Sequence, residues 1–214
     1  MVKIQTFTID SEESKTDLCE FGDITDKSPH NKVGHFHKHP YTPIYSLLFG
    51  PYRNKAINFC EIGVASGGSV KMWRNYFHKD TVIFAMDNSL GFLGLLAQRN
   101  LENVLPIEID VTNEDIMKNQ LQHIGAQFDI VIDDSDHVID SQRKIVVQFS
   151  PYIKSGGMLI IEDVFRSKSA LEYEELFGEE LLNQFESAYY IKAEHKNKFS
   201  GDWNNDALLV LIKN

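Results

Sequence analysis

Acidic residues bunch at two places in this 214-residue chain, Ile132-Asp133-Asp134-Ser135-Asp136-His137 and Ile161-Glu162-Asp163-Val164. Each run closes an apolar stretch of strand type, at 128–134 and 157–164. In a parallel sheet the carboxyl ends of these strands lie close together. Asp133, Asp134, Asp136, Glu162 and Asp163 would then crowd one small region. Like charges that close are costly unless a cation neutralises them. Oxygen-only donors favour a hard divalent ion, Mg²⁺ first, then Ca²⁺ or Mn²⁺. Some of these side chains, Asp133 or Asp136 above all, would serve equally as caps on the following helices. His137 follows closely on Asp134. A neutral imidazole beside a metal-bound hydroxyl can remove its proton as a general base. Without a metal it is only a histidine at a helix start.

A glycine-bearing run, Glu61-Ile-Gly-Val-Ala-Ser-Gly-Gly-Ser69, joins a strand to a helix. Gly63, Gly67 and Gly68 allow a tight turn and close approach of a ligand to the backbone. The dinucleotide fingerprint needs glycine at its second position, and Ala65 stands there. An acidic residue before the loop suits a cationic amino group better than a pyrophosphate. Asp87 ends the next strand, where a carboxylate can accept from both ribose hydroxyls or cap a helix. Asp110 ends the third, within reach of an adenine amino group.

The elements that must position these groups alternate in type. Strand-like runs cover 57–63, 81–87, 104–110, 128–134 and 157–164, and helical patterns follow at 67–77, 92–100, 113–123, 138–149 and 170–185. Two strands with only a loop between them, 189–195 and 207–213, come last. Five βα units and a closing hairpin predict a mostly parallel sheet with one antiparallel strand and helices on both faces. Ligands then bind beyond the carboxyl ends of the strands. Residues 1–56 read as a loop-rich segment preceding a core domain of 57–214.

A net charge of −10 makes the chain a poor partner for nucleic acid. Cys19 and Cys60 do not make a disulfide framework. The N-terminus has no signal-like apolar stretch, and no run approaches the roughly 20 apolar residues of a membrane span. The expectation is a cytoplasmic protein with a small-molecule partner, a homo-oligomer being left open. His30, His35, His37 and His39 cluster without the spacing of a tetrahedral metal site and read as a polar loop. Trp203 and Asn204 to Asp206 form either a flap over an acceptor or a plain hairpin connection.

The order Thr25-Asp26-Lys27, His39-x-Tyr41-Thr42-x-x-Tyr45, Glu61-x-Gly63, Asp133-Asp134-x-x-His137 and Glu162-Asp163 resembles the macrocin/mycinamicin-type sugar O-methyltransferases. These are metal-dependent class I enzymes that use S-adenosylmethionine (SAM) and tailor macrolides, aminocoumarins and other glycosides. The resemblance implies a Rossmann-like α/β fold with a seven-stranded sheet. It implies Mg²⁺ on Asp134, Glu162 and Asp163, with His137 as general base. It places SAM against Gly63, Ser66, Gly67 and Ser69, with Glu61 near its amino group and Asp87 on its ribose. Asp110, Asp133 and Tyr45 count with the cofactor-binding residues. The segment from His39 to Tyr45 would be part of a lid, although Phe36 and Tyr41 would also suit a partner subunit.

The family usually shows Asp-Asp-Gly-Ser-His, whereas this chain has Ser135 and Asp136 in the middle. Macrolide enzymes of this type often carry an additional N-terminal region, which leaves the acceptor open. A catechol or caffeoyl-type O-methyltransferase would be expected to place a lysine near the metal, and none lies in 133–138. Ala65 argues against an NAD-dependent nucleotide-sugar oxidoreductase. The intact Asp134, His137, Glu162 and Asp163 set argues against a non-catalytic scaffold.

Overall fold

The computed structural model describes residues 2–32, 34 and 37–214. His35 and Phe36 lie outside the described residues. In chain order the elements are β1 (Ile4–Asp10), α1 (Asp17–Phe21), α2 (Tyr41–Phe49), β2 (Asn58–Ile62), α3 (Gly68–Tyr76), β3 (Val82–Asp87), α4 (Leu90–Gln98) and β4 (Val104–Glu108). Then come α5 (Glu114–Ile124), β5 (Phe128–Asp133), α6 (Ile139–Phe149), β6 (Ile153–Val164), α7 (Ala170–Leu182), β7 (Phe185–Glu194) and β8 (Ala207–Lys213). The strands form one sheet in the order β1-β7-β8-β6-β5-β2-β3-β4. Strand β8 runs antiparallel to both β6 and β7, and the other pairings are parallel.

The sheet has eight strands, not the expected seven. The extra one is β1, from the segment read as loop-rich. It carries no alternating apolar pattern, because only Ile4 of its residues is buried. It pairs in parallel with β7 along its whole length through its backbone, and an edge strand of that kind leaves little mark on side-chain periodicity.

Alternate residues of the inner strands bury on opposite faces. Cys60, Ile62, Met86, Val131, Leu159, Leu209 and Leu211 pack with α5, α6 and α7 on one side. Phe59, Ile83, Ala85, Ile130, Ile132, Ile160 and Val210 pack with α2, α3 and α4 on the other. Trp73 fills the second layer, its ring 5.1 Å from Phe59 and 5.5 Å from Tyr45. Helix starts are capped as their sequences allow. Asn113 accepts from the Asp115 and Ile116 amides, and Ser169 and Glu172 form a capping box. Helix α7 is interrupted at Gly178, whose φ of 71° is left-handed.

Strand β2 sits between β3 and β5. The chain therefore winds outward from it in both directions and leaves a crevice beyond the carboxyl ends of β2 and β5. On the other side of that edge a charged lock ties the segment after β6 to the hairpin. Arg166 reaches Asp206, Glu194 Oε1 (2.6 Å) and the Ala193 carbonyl, and Lys198 reaches Asp206 Oδ2 and Glu194 Oε2, both at 2.7 Å. Burial works against the Asp206 charge, yet Lys198 and Arg166 hold its carboxyl below the usual range. A depressed folded-state pKa adds stability above the unfolded value of about 3.9, which is lost as pH falls through the folded value. Asp206→Asn should therefore lower stability at pH 7 by roughly 2–4 kcal/mol. Urea unfolding should show the gap from wild type closing as pH falls below about 4.

Candidate active site

Strand β2 ends at Ile62 and the backbone turns at once. Gly63 takes φ 87°, and a Cβ there would lie 2.0 Å from the Asp134 carbonyl oxygen. Its N–H donates to the Met86 carbonyl (2.8 Å), while the Asp134 N–H donates to Ile62 O (2.8 Å). The β2 and β5 ends are thus laced together with no room for a side chain. Ala65 has φ 41°, and its N–H donates to Asp87 Oδ2 at 2.9 Å. The Ser89 N–H donates to Asp87 Oδ1 at 2.9 Å. A cavity of about 260 Å³ opens here, with Gly63, Ala65, Asp87, Phe92, Val111 and Asp134 among its walls.

The other residues expected around a cofactor are placed differently. Glu61 is fully buried and accepts from Ser69 Oγ (2.7 Å). Neither lines the cavity, and neither do Ser66 and Gly67. Asp110 accepts from the Thr112 hydroxyl (2.6 Å) and amide (2.9 Å) and borders an adjoining depression with Glu108 and Gln120, which shares Asn88 and Ile109 with the cavity. Its neighbours Ile109, Val111 and Thr112 face the cavity instead. Asp133 is buried, which pushes its carboxyl up to about 6. It accepts from the Ser135 hydroxyl at 2.6 Å and so fixes the turn after β5. Asp136 accepts from Ser141 Oγ (2.7 Å) and the Val138 amide (2.9 Å). The departure from the family's motif is thus turn-forming: Ser135 and Asp136 hold the loop that carries His137.

At the cavity's edge Asp134, His137 and Asp163 converge, each offering an atom within 4.8 Å of the others. His137 Nε2 lies 3.4 Å from Asp163 Oδ2. Both His137 (φ 58°) and Asp163 (φ 54°) are left-handed non-glycine residues, a conformation that costs energy and concentrates at functional sites. Asp163 is gripped from behind. The Tyr41 hydroxyl shares its proton between Asp163 Oδ1 and the Asn205 carbonyl, both at 2.9 Å, and Asn205 Nδ2 donates to Oδ2 at 2.9 Å. Burial and the Asp163 charge hold Tyr41 well above the usual phenol range, so it stays a donor.

Glu162 is not one of these three but is bridged to Asp134 through Lys27. It accepts from the Tyr45 hydroxyl at Oε1 (2.6 Å) and from Lys27 Nζ at Oε2 (2.6 Å). Tyr45 therefore reaches a carboxylate; it does not line the cavity. Lys27 also donates to Asp134 Oδ2 at 2.6 Å and stands 3.4 Å from Glu61 Oε1. Burial would pull the Lys27 ammonium down, but Asp134, Glu162 and Glu61 hold it well above the ordinary lysine value. Burial pushes Glu162 up to about 8 while Lys27 and Tyr45 pull it back. The ammonium is the species that persists, because two carboxylate oxygens touch it. A lysine does reach the acidic cluster from outside 133–138, but it is held as a cation and is no proton acceptor.

The donor set suits a hard divalent ion. Asp134 Oδ2 is taken by Lys27, while the Asp163 oxygens accept from the neutral Tyr41 and Asn205, with His39 Nε2 3.6 Å from Oδ1 and His137 Nε2 3.4 Å from Oδ2. The two carboxylates are compatible with Mg²⁺ or Mn²⁺, with the His137 imidazole beside them. The described N-terminal histidines form no such set. The His30 ring meets His195 (5.1 Å), His37 stacks on His39 (5.7 Å), and His39 stacks on Tyr41 (4.8 Å). Trp203 is half exposed and lies against Phe165 and His37. The sequence signal for Lys27 is the Thr25-Asp26-Lys27 motif and that for Asn205 is its place in the 204–206 loop, and neither discloses the carboxylate it touches.

No family model matches the chain. It is 28% identical over 134 residues to demethylmacrocin O-methyltransferase of Streptomyces fradiae, covering 59% of this chain and 32% of the relative. It is 28% identical over 136 residues to mycinamicin VI 2''-O-methyltransferase of Micromonospora griseorubida, again covering 59% and 32%. The chain thus spans well under two thirds of the curated relatives it matches. Among solved structures it resembles the MycE methyltransferase in complex with Mg, SAH and mycinamycin VI. That match has TM-score 0.57 and 27% identity and covers 70% of this chain and 39% of that one. Fibrillarin of Aeropyrum pernix, solved with bound S-adenosyl-L-methionine, shares the fold alone, with TM-score 0.56 and 14% identity over 78% and 73%. The fold is the Rossmann-like methyltransferase fold.

Gly63→Ala should cost at least about 2 kcal/mol, from a left-handed φ and a Cβ forced against backbone. Chemical denaturation would measure it, and a near-neutral change would mean the β2 and β5 turns are not locked together.

Proposed function

We propose that the protein is a SAM- and Mg²⁺-dependent O-methyltransferase acting on a hydroxyl of a sugar or glycosylated small molecule. The observation that carries this is the meeting of Asp134, His137 and Asp163 at the rim of the cavity that Asp134 itself walls. The cavity suits a nucleoside, with Asp87 facing it for the ribose and Phe92 and Val111 as apolar walls. Residues 57–214 form the SAM half, and residues 1–56 supply the groups that face the acidic cluster from the other side. A relative named as a rhamnosyl tetracenomycin-C 2'-O-methyltransferase favours a glycoside acceptor.

Asp134 and Asp163 would hold a divalent ion, whose charge would lower the pKa of an acceptor hydroxyl. His137 Nε2 takes the proton, and Asp163 beside it steadies the resulting imidazolium. The acceptor oxygen forms a bond to the SAM methyl as the methyl–sulfur bond breaks, releasing S-adenosylhomocysteine. Tyr41 and Asn205 keep Asp163 in place, and most of the remaining rate comes from holding oxygen, methyl and sulfur in line.

His137→Ala should lower turnover on a responsive glycoside by about 10²-fold or more while SAM affinity stays within a few-fold of wild type. Thermal shifts separate the cofactor classes. SAM at about 100 times its Kd should add roughly 2.7 kcal/mol of stability, and NAD none. Stabilisation by NAD and not SAM, or full activity after exhaustive EDTA treatment, would refute the proposal.

A further inference from the structure

We infer that Lys27 is a resident cation of the acidic site, and that it decides which carboxylates remain available to a divalent ion and how tightly the ion is held. This rests on the metal-dependent reading above for the identity of the site and adds a positioning residue to it.

Lys27 is 1% exposed. Its ammonium touches carboxylates at the ends of three different strands: Glu61 on β2, Asp134 after β5 and Glu162 on β6. It cannot swing away easily. The Lys27 carbonyl accepts from the Tyr41 and Thr42 amides at the start of α2, both at 3.1 Å. The same helix sends Tyr41 to Asp163 and Tyr45 to Glu162. Ammonium and phenols thus form one unit inserted against the acidic strand ends.

A buried ion pair kept only for stability needs one carboxylate. Lys27 instead takes an oxygen of Asp134, a residue that also walls the cavity and belongs to the set with His137 and Asp163. The consequence is a division of labour. Glu162 is committed to Lys27 and Tyr45, and one oxygen of Asp134 is committed to Lys27. Its other oxygen and Asp163 are left for a divalent ion. Lys27 brings one positive charge into contact with the carboxyl groups of Glu61, Asp134 and Glu162. Removing the ammonium therefore frees ligands and deepens the negative potential together. An ion that Lys27 holds to modest affinity would become tightly chelated.

The test is Mn²⁺ binding to metal-free protein without SAM, followed by electron paramagnetic resonance, for wild type, Lys27→Met and the double variant Lys27→Met/Glu61→Gln. The double variant removes a carboxylate along with the ammonium, so the cluster keeps its wild-type net charge. That guards against a single variant too repulsive to fold, and circular dichroism checks the fold of each. Lys27→Met should bind Mn²⁺ at least tenfold more tightly than wild type and gain more in Tm on adding Mg²⁺. The double variant should move in the same direction by a smaller factor, since Asp134 and Glu162 are freed in it too. Variants that fold and bind Mn²⁺ at wild-type affinity or weaker would overturn the role of Lys27 and leave the metal reading standing. Failure of wild type and both variants alike to bind Mn²⁺ would overturn both.

Discussion

A single buried ammonium holds the working end of this molecule together. The carboxylates of Glu61, Asp134 and Glu162 approach one point from three strands, and without a cation between them they could not stay buried and charged. Lys27 supplies that charge. It also anchors the N-terminal segment to the sheet, because its backbone seats α2 and α2 seats Tyr41 and Tyr45. Lys27 and α2 are therefore an integral wall of the site. The helix buries Tyr41, Ile44, Tyr45 and Phe49 in the same apolar layer as Trp73 and Phe59.

The same constraint explains how neighbouring acidic residues come to differ. Successive strand residues point to opposite faces, so Glu162 turns towards α2 and its lysine. Asp163 would turn to the face of α5, α6 and α7 if the strand ran on regularly. A left-handed φ at Asp163 and a register shift between β6 and β8 after Ile161 accompany its turn to Tyr41 and Asn205, with His137 beside it. On β5 the division is similar. Asp133 spends its carboxylate on the Ser135 turn, and Asp134 faces cavity and lysine. The left-handed His137 that follows is supported by Asp136 bonding to Ser141 and the Val138 amide.

Much of this was legible because it follows from local pattern. Apolar runs gave the strands from Asn58 onward, and glycines at Gly63 and Gly67 marked a turn that truly needs a positive φ. Asp134, His137 and Asp163 could be expected to meet because their runs end adjacent parallel strands. Sequence periodicity carries no information about contacts such as Lys27 with Glu162, 135 residues apart. Tyr41 and Tyr45, one helical turn apart, present a shared face to two carboxylates, and helical spacing alone does not name those partners. Asp110 follows a strand end, where the chain is free to turn, and its bonds to Thr112 leave no trace in apolar spacing. Strand β1 escaped notice because an edge strand bonded through its backbone needs no apolar stripe.

The central claim is that the rim of the cavity between Asp134 and Asp163 is a cation site beside a nucleoside site. The most direct measurement is anomalous diffraction from crystals grown with Mn²⁺ and S-adenosylhomocysteine. The account predicts one strong peak between the Asp134 and Asp163 carboxylates, with His137 beside it and the nucleoside filling the cavity along Asp87 and Phe92. No peak there, or manganese only at the N-terminal histidines, would contradict it.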